Sequence, residues 1–526
     1  MKLWKRMAAL VLAALLLAGS AAGCGQQQEM TFSAALVGVP ASYDPAMAVS
    51  CSEQIAAVHL YENLMRLQIG ESGTEVVGAL AQSYERTDNL DGTETYTFHL
   101  RSDARWSDGR TVRAGDFVYG WQHLVDPDTD SPNAALLDMV TGYDKARQGD
   151  LDALAVRAVN DTTLEVDLSC HCPYFIRSIC TVGPTMPRRA DLAGSKEPVT
   201  NGPYAWGDNT DGVLTLHVSE HYYDTRRLGP DTLKFYFCDT AEQAETLLDD
   251  GTVDFAGNLD DESLKAEDSW TMEPYPETTL LVVNQMAQQL NNKDYRQVLS
   301  LVIDRTALIE TPGVGLCAPA EGLIPYGITA SDGQAFRELE GPRIDNTDYE
   351  QNCAAAKALL QNRTMDGIAD VVILYENTGA NAQLAGQIQA AWQEQLGMKA
   401  RVQGASPEEM AAKLRKGEFN VALISCAADR NDASAFLNMW RSGSRDNVAL
   451  FGSSAYDMLM RVAAASSSAE ARDAYLADAE RLLLEQGNAI PLYTTVRAYR
   501  LRTGLTGLLS DGLGVFRFGG IRQAAN

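Results

Sequence analysis

Cys170, His171 and Cys172, followed by Cys180, are the residues in this sequence whose types best suit metal coordination. Thiolate and imidazole groups are the usual ligands of zinc in proteins. The spacing here is C-x-C rather than the C-x2-C of common zinc sites, and no second pair lies nearby. We therefore predict no metal site, and expect these cysteines to form a disulfide or to remain partly buried thiols.

Acidic residues are frequent, so a pair of carboxylates that hydrolyses a glycosidic bond is conceivable, but nothing in the sequence singles out such a pair. The motifs G-x-S-x-G and H-E-x-x-H and the P-loop are all absent from the sequence. The six histidines show no paired ligand spacing, which argues against direct capture of a metal ion. The sequence predicts a protein that is not an enzyme and needs no cofactor.

The N-terminus carries a basic start, an apolar run over residues 7–18 and a series of small residues that ends at Cys24. This order is typical of an export signal. The run is shorter than the roughly 20 apolar residues that span a bilayer. The letters AAGC followed by GQQQE resemble a bacterial lipobox, with Ala21 where leucine is preferred. We expect cleavage before Cys24 and a lipid on its thiol.

The whole chain of 526 residues has a formal net charge of −27. Its length suits two or three domains. A surface this acidic argues against binding to nucleic acid and to anionic membrane surfaces. No later apolar stretch is long enough to span a membrane, so we expect a soluble body held at the membrane only by the lipid.

Strands and helices alternate along the chain, most clearly from residue 370 to residue 425. There the pattern predicts strand, helix, strand, helix and strand, which implies parallel pairing with right-handed crossovers. The second helix should begin with a capping box at Ser406 and Glu409, with Pro407 in its first turn, and should end at Gly417. Because ligands bind beyond the carboxyl ends of such strands, the loop over residues 426–440 is a candidate site.

We predict that the aromatic stretch over residues 106–121 packs in the protein core and does not surround a ligand. A turn precedes a predicted helix that starts near Ala114, and Phe117, Trp121 and Leu124 fall on one apolar face of it. Asp116 lies in the first turn, where its negative charge suits the helix dipole. These aromatic residues are thus expected in a core and not around a ligand.

The same stretch carries a family resemblance. The segment YTFHLRSDARWSDGRTVRAGDFVYGWQHLVDP closely resembles the signature of the peptide- and nickel-type (family 5) solute-binding proteins of ABC importers, the oligopeptide-binding family. Further segments resemble family motifs in the same order along the chain: SYDPAMA, HLYENLMR, TNGPYAW, HYYD, NNKDYRQVLSLVIDRTALIE and AIPLYTTVRAYRL.

The resemblance implies an α/β, two-lobed, periplasmic-binding-protein-like (type II) fold with an additional domain and a hinge between the lobes. Ligand would be enclosed when the lobes close. The implied division is a signal peptide at 1–23, a lipidated tether at 24–30, lobe I at 31–68, 196–285 and 489–526, the additional domain at 69–195, and lobe II at 286–488.

The resemblance also implies a site. In the oligopeptide-binding branch an aspartate after a parallel strand holds the peptide amine, and the segment 417–438 aligns so that Asp429 takes that place. Asn431 and Ser434 keep the family's polar pattern beside it. Asn133 stands where the family often has a tyrosine that touches the peptide backbone. Asp432 aligns with another acidic position and could be confused with Asp429.

This sequence departs from the family near the site. Cys426 stands where the family has tryptophan, and residues 274–284 contain no cysteine, so the family's disulfide is expected to be absent. The segment 421–425 lacks a basic residue that some relatives use for a peptide carboxylate. Two functions stay open: binding of oligopeptides, or binding of a non-peptide ligand such as a nickel chelate, an oligosaccharide, heme or an opine.

On this resemblance we expect an extracytoplasmic lipoprotein that captures its ligand between two lobes. Its partners would be an ABC permease and ATPase complex, which receive the ligand. The family implies a monomer. A role in sensing or adhesion without transport is a further possibility that the sequence leaves open.

Overall fold

The computed structural model describes residues 29–70, 73–181, 185–192, 198–261, 263–264, 269–331, 333–361, 364–368 and 370–524. The predicted signal peptide and Cys24 lie outside the described residues. Within these ranges no helix is both long enough and apolar enough to cross a membrane.

The strands of the described chain are numbered in sequence order. They are β1 Thr31–Val37, β2 Met65–Gly70, β3 Gly73–Gly78, β4 Ala81–Asp88, β5 Glu94–Leu100, β6 Val156–Asn160, β7 Thr163–Leu168, β8 Tyr204–Thr210, β9 Val213–Val218, β10 Thr232–Cys238, β11 Phe255–Leu259, β12 Thr271–Val283, β13 Cys317–Pro319, β14 Val372–Glu376, β15 Arg401–Ala405, β16 Val421–Ala427, β17 Ala489–Leu501, β18 Leu505–Thr506, β19 Leu509–Ser510, β20 Phe516–Arg517 and β21 Arg522–Gln523.

The α-helices of the described chain are numbered in the same way. They are α1 Cys51–Leu60, α2 Ala114–Val125, α3 Tyr143–Ala146, α4 Phe175–Thr181, α5 Ala241–Asp249, α6 Lys293–Leu301, α7 Arg305–Leu308, α8 Phe336–Glu340, α9 Tyr349–Leu359, α10 Asn381–Leu396, α11 Pro407–Lys416, α12 Ser434–Leu437, α13 Ser454–Ala465 and α14 Ala469–Gln486.

One large mixed sheet runs through the molecule in the order β15-β14-β16-β12-β17-β11-β1-β10-β9-β8, with β13 also paired to β17. The long antiparallel strands β12 and β17 connect its two halves. The last residues of β17 pair with β11 and its middle pairs with β13, while β12 pairs with β17 along nearly its whole length. The register of β12 shifts between Pro274 and Thr278, where proline cannot donate a ladder hydrogen bond. The two halves are thus joined by one antiparallel pair of strands, β12 and β17, whose register is irregular near Pro274.

The predicted run of strands and helices from residue 370 is confirmed. Strand β14 pairs in parallel with β15 and with β16, and helices α10 and α11 form the crossovers. The Ser406 hydroxyl accepts a hydrogen bond from the Glu409 amide at 3.2 Å, and Gly417 ends α11 with a φ of +68°. The second half of the predicted capping box is not formed, because the Glu409 carboxylate lies 3.7 Å from Lys413 instead.

A separate four-stranded antiparallel sheet, in the order β4-β5-β7-β6, packs beside helix α2. Phe117 and Trp121 of α2 are fully buried, and so is Trp106 before it. Asp116 accepts hydrogen bonds from the Trp106 indole at 3.1 Å and from the Arg113 amide at 2.9 Å. This burial and these contacts confirm the prediction that the aromatic stretch belongs to the protein core.

All eight cysteines of the described chain are free thiols. Of the two alternatives predicted for Cys170, Cys172 and Cys180, the structure has thiols, with Cys172 and Cys180 buried. Cys426 is also free, as predicted from the missing partner, and its sulfur packs 3.6 Å from that of Met439.

Asp511, in the turn between β19 and β20, carries a buried carboxyl group, and only one of its two oxygens has hydrogen-bond partners among the described residues. Oδ1 accepts hydrogen bonds from the Leu513 and Val515 amides, while Oδ2 is buried without a hydrogen-bond partner. Desolvation raises the pKa of Asp511 to about 6. Because the folded-state pKa lies above that of the unfolded chain, the protonated carboxyl stabilises the fold at low pH, and this contribution is lost as the pH rises through 6.

We therefore expect Asp511→Asn to raise the free energy of unfolding at pH 7.5 by on the order of 2 kcal/mol. The asparagine keeps the acceptor on Oδ1 and carries no charge. Urea unfolding midpoints at pH 4.5 and pH 7.5 measure the effect, which should be small at the lower pH. Asp239→Asn, at an exposed aspartate, is the control. An unchanged pH dependence in Asp511→Asn contradicts the assignment.

Candidate ligand-binding site

A cleft of about 700 Å³ lies beyond the carboxyl end of β16. One wall is formed by residues between Ala427 and Asp446, and the opposite wall by Ala135, Asp138 and Asp144. The second wall follows the 3-10 helix Ala134–Leu137, which belongs to the segment predicted as the additional domain. The cleft therefore brings together two segments that are far apart in sequence, at the end of strands where ligands were predicted to bind.

Asp429 lines this cleft. Its side chain is 44% exposed, and its Oδ2 lies 3.4 Å from Nη1 of Arg430. No other hydrogen bond to this carboxylate is found among the described residues, so Oδ1 is available to a ligand. The contact with Arg430 orients the carboxylate and leaves one oxygen facing the cleft.

Arg430 is a buried residue that connects the two walls. Its guanidinium lies 5.0 Å from the centre of the Tyr174 ring, within the range of a cation–π contact. Burial disfavours its charge, yet the surrounding Tyr174, Asp429 and Asp138 raise the pKa of Arg430 above its ordinary value. The guanidinium therefore stays charged and holds acidic groups from both walls close together.

Asp138 faces Arg430 from the other wall. Desolvation, together with the nearby charge of Asp429, raises the pKa of the Asp138 carboxyl, although Arg430 opposes the shift. The two aspartates thus repel one another across the cleft, and the charge of Arg430 opposes this repulsion. A ligand that brought a positive charge would relieve this repulsion.

Asp432 lies close to Asp429 in sequence but has a different role. Both of its oxygens accept hydrogen bonds from Arg472, at 2.8 and 2.9 Å, and the two side chains are buried. Although burial opposes ionisation, the charge of Arg472 lowers the pKa of Asp432. The charge of the Asp432 carboxylate is neutralised within the protein. The Asp429 carboxylate differs from it, because it is partly exposed and only one of its oxygens contacts an arginine.

The other predicted site residues lie beside the cleft and do not line it. The Asn431 side chain accepts hydrogen bonds from the amide and hydroxyl of Thr329, at 2.7 and 3.1 Å. Ser434 is buried, and its hydroxyl has no hydrogen-bond partner. The Asn133 amide donates to the carbonyls of Ala46 and Ala48. In this conformation the side chains of Asn431 and Asn133 form hydrogen bonds with loops next to the cleft. Their contact with ligand stays a prediction.

The cleft is acidic overall. The carboxylates of four aspartates line it against the guanidinia of two arginines: Asp138, Asp144, Asp429, Asp446, Arg430 and Arg441. Charges of one sign within a cleft focus the electrostatic field and attract the opposite charge. The geometry therefore favours a ligand with a cationic group.

Strand β16 also offers unpaired backbone next to Asp429. Residues 421–427 all pair with β12 on one side, but on the other side only Val421 and Ala422 pair with β14. Among the described residues no strand pairs with the rest of that edge, which can therefore accept an extended segment as an added strand. The edge leads directly to the cleft.

Sequence reasoning found Asp429 but missed Arg430, Tyr174 and Asp138. An arginine next to an aspartate is common in any loop and carries no signal alone. Tyr174 and Asp138 lie about 250 to 300 positions earlier in the chain. Only the folded arrangement shows that Asp138 lines the same cleft as Asp429 and that the ring of Tyr174 lies against Arg430.

A second polar cluster involves the histidine that was considered for metal binding. One ligand atom each from Asp88, Glu94 and His171 lies within 4.8 Å of the others. The guanidinium of Arg86 lies among them, with Nη2 2.9 Å from Glu94 and 3.2 Å from Nδ1 of His171. Arg86 supplies the positive charge that a metal ion would bring, so the cluster reads as an ion-pair network.

Comparison with known families decides the class of this protein. The profile described as "Bacterial extracellular solute-binding proteins, family 5 Middle" matches residues 75–448. The chain belongs to family 5 of the bacterial extracellular solute-binding proteins. This confirms the predicted resemblance.

Two curated relatives of this family 5 protein are similar over most of both chains. The periplasmic oligopeptide-binding protein OppA of Escherichia coli K12 is 28% identical over 480 residues, covering 87% of this chain and 86% of the relative. A protein of the same organism named "Probable deoxycholate-binding periplasmic protein YgiS" is also 28% identical, over 474 residues, covering 86% of each.

Solved structures confirm the two-lobed α/β fold of the type II periplasmic binding proteins. The unliganded open form of the murein tripeptide-binding protein MppA superposes with a TM-score of 0.79 at 25% identity, covering 94% of this chain and 98% of that one. A second MppA structure, from Escherichia coli, gives 0.71.

Proposed function

We propose that this protein is an extracytoplasmic, lipid-anchored receptor that captures oligopeptides between its lobes and delivers them to an ABC permease and ATPase complex. The observation that carries the proposal is the partly exposed carboxylate of Asp429, which lies in an acidic cleft next to the unpaired edge of β16. A peptide has an ammonium group next to a regular backbone, and these two features of the cleft complement both.

In the proposed complex the peptide ammonium binds Oδ1 of Asp429, while Arg430 keeps Oδ2. The peptide backbone then extends along β16 beyond Ala422, where it finds unpaired backbone groups. Side chains project into the cleft, where water can bridge them to the walls. Because the contacts are made to the common parts of every peptide, such a site accepts many sequences.

A non-peptide ligand is the second candidate, and one observation favours it. The relative named for deoxycholate is as similar to this chain as OppA is. Deoxycholate is an anion, however, and the cleft presents four carboxylates against two guanidinia. The charge of the cleft therefore supports the peptide over an anionic steroid.

Mass spectrometry of the small molecules that leave the purified protein on denaturation tests the proposal. A series of short peptides supports it and gives their lengths. A single non-peptide mass overturns it in favour of the second candidate. If nothing is released, calorimetric titration with short peptides decides: failure of every peptide with a free amino terminus to bind contradicts the proposal.

The lipid anchor predicts a change in location. Cys24→Ala should move the protein from the membrane fraction to the soluble fraction, because the thiol that carries the lipid is lost. Fractionation followed by immunoblotting measures the shift, and Cys51→Ala serves as a control at another cysteine. A variant that stays in the membrane fraction contradicts the anchor.

A further inference from the structure

A second cavity, of about 300 Å³, lies away from the cleft, between α1, the start of the β2–β3 hairpin and the C-terminal segment. We call it the arginine cavity, because Arg66, Arg227 and Arg517 all line it. Its volume is at the lower end of the range for small-molecule pockets. None of its lining residues lines the cleft.

Arg517 has few partners for its charge. Among the described residues, its guanidinium forms one hydrogen bond, from Nη2 to the carbonyl of Cys180 at 2.8 Å, and its Nε is buried without a hydrogen-bond partner. No carboxylate of the described chain lies within ion-pair distance of it. Desolvation lowers the pKa of Arg517, although Asp511 and Glu62 oppose the shift. A buried guanidinium in this state is stabilised by any anion that reaches it.

The other two arginines also keep unused donors. The Nε atoms of Arg66 and Arg227 are buried without hydrogen-bond partners. Arg66 donates to Tyr223 at 2.8 Å and to Asp224 at 3.3 Å, and Arg227 donates to Tyr222 at 2.6 Å. Three guanidinia thus line one small cavity; the Nε groups of Arg66 and Arg517 are buried without a hydrogen-bond partner, while that of Arg227 lies 3.4 Å from Oδ2 of Asp224 without forming a hydrogen bond.

Within the described chain, the ion pairs near the cavity involve Arg66 and Arg227 and not Arg517. Glu62 accepts hydrogen bonds from Tyr222 and Tyr223 and lies 3.8 Å from Arg66. Asp224 lies within 3.4 Å of both Arg66 and Arg227. His59 is neutral, because burial lowers its pKa to about 3. Asp511 and Glu62 act on Arg517 only at longer range, since no carboxylate of the described chain forms an ion pair with it, so the charge of Arg517 is the least compensated of the three.

Apolar side chains form the rest of the lining, among them Leu67, Leu228 and Leu509. A small inorganic anion would satisfy the guanidinia but leave these side chains uncovered. An anion with a short hydrocarbon part would cover both. We propose that the arginine cavity binds a small organic anion, such as a short-chain carboxylate, with its oxygens on Arg517 and Arg227 and its hydrocarbon part against the leucines.

Calorimetric titration of the full chain with butyrate, acetate and sulfate, at an ionic strength held constant with chloride, tests the proposal. Butyrate should bind at one site, and more tightly than acetate by roughly tenfold, because it buries two further CH₂ groups. No binding of butyrate overturns the proposal. Sulfate binding tighter than butyrate overturns the choice of an organic anion.

Arg517→Gln should weaken butyrate by roughly tenfold or more, because a charge-assisted contact is lost while glutamine can still donate to the Cys180 carbonyl. Arg227→Gln, which leaves Arg517 in place, should weaken it as well. Arg461→Gln removes an exposed arginine elsewhere and should change nothing. Equal butyrate affinity in all three variants contradicts the site.

The peptide affinity of each variant, measured on the same samples, separates this inference from the proposed function. Loss of butyrate binding with unchanged peptide affinity shows that the variant is folded and that the arginine cavity is a separate site. If the unmodified protein binds butyrate but no peptide, the proposed function fails and the arginine cavity stands. If Arg517→Gln does not fold, Arg227→Gln alone decides.

Discussion

Replacing Asp429 by asparagine should weaken the binding of a peptide with a free amino terminus by roughly a hundredfold, since a charged partner at a partly enclosed contact is lost. The same peptide with an acetylated amino terminus carries no ammonium group and should lose little further affinity. Calorimetry with trialanine and its N-acetylated form measures both values. The discriminating quantity is the ratio of the two affinities, which the variant should bring close to one.

Asp446→Asn is the matched control for Asp429→Asn. It removes another carboxylate from the cleft, and with it the same amount of negative charge, but Asp446 does not lie at the end of β16. It should lower the affinity of both peptides only modestly, through the long-range field. If Asp429→Asn reduces the affinities of free and acetylated peptide equally, Asp429 is not the ammonium site.

The contact between Asp429 and Arg430 affects how this result is read. Arg430 already neutralises part of the Asp429 charge at 3.4 Å, so asparagine leaves the guanidinium with Asp138 as its remaining acidic neighbour in the cleft. The variant therefore makes the cleft less attractive to a cation both directly and through Arg430. The acetylated peptide controls for this general change, because it has the same backbone and side chains.

The sequence could predict much of the fold because local patterns agree with the tertiary structure. The alternation of strands and helices after residue 370, the end of α11 at Gly417 and the apolar face of α2 all follow from periodicity and capping. The missing half of the capping box shows the limit of this reasoning. The Glu409 carboxylate can contact either the Ser406 backbone amide or Lys413. The two contacts differ little in free energy, so sequence spacing alone does not decide which one forms.

The site could be predicted only in part. Alignment placed Asp429 in a loop that lines the cleft, but the sequence offered no physical ground to separate Asp429 from Asp432, since both are acidic residues of one short segment. Arg472, which lies 40 residues further along the chain, decides their roles by pairing with Asp432. Asn133 and Asn431 were predicted from the family alignment, and in this structure both side chains form hydrogen bonds with the protein's own loops. Such pairings depend on which segments meet in the folded chain, and no local pattern encodes them.

The pair formed by Asp432 and Arg472 leads to the second large effect. Asp432→Asn should lower the free energy of unfolding by about 3–5 kcal/mol, because it leaves the buried Arg472 without its counter-charge. The midpoint of urea unfolding measures the loss. The double variant Asp432→Leu with Arg472→Met removes both charges and should recover most of it. If the double variant is as unstable as Asp432→Asn, the cost does not come from an unpaired charge.

The pH dependence gives an independent check on this pair. The folded-state pKa of Asp432 lies below its ordinary value because of Arg472, so the carboxylate stabilises the fold above pH 4 and loses this effect as the pH falls through the folded-state pKa. The difference in stability between the unmodified protein and Asp432→Asn should therefore be full at pH 7 and shrink in acid. At neutral pH the folded variant should still prefer a free amine to its acetylated form, because Asp429 is intact. Loss of that preference would show that the two aspartates share the ammonium site.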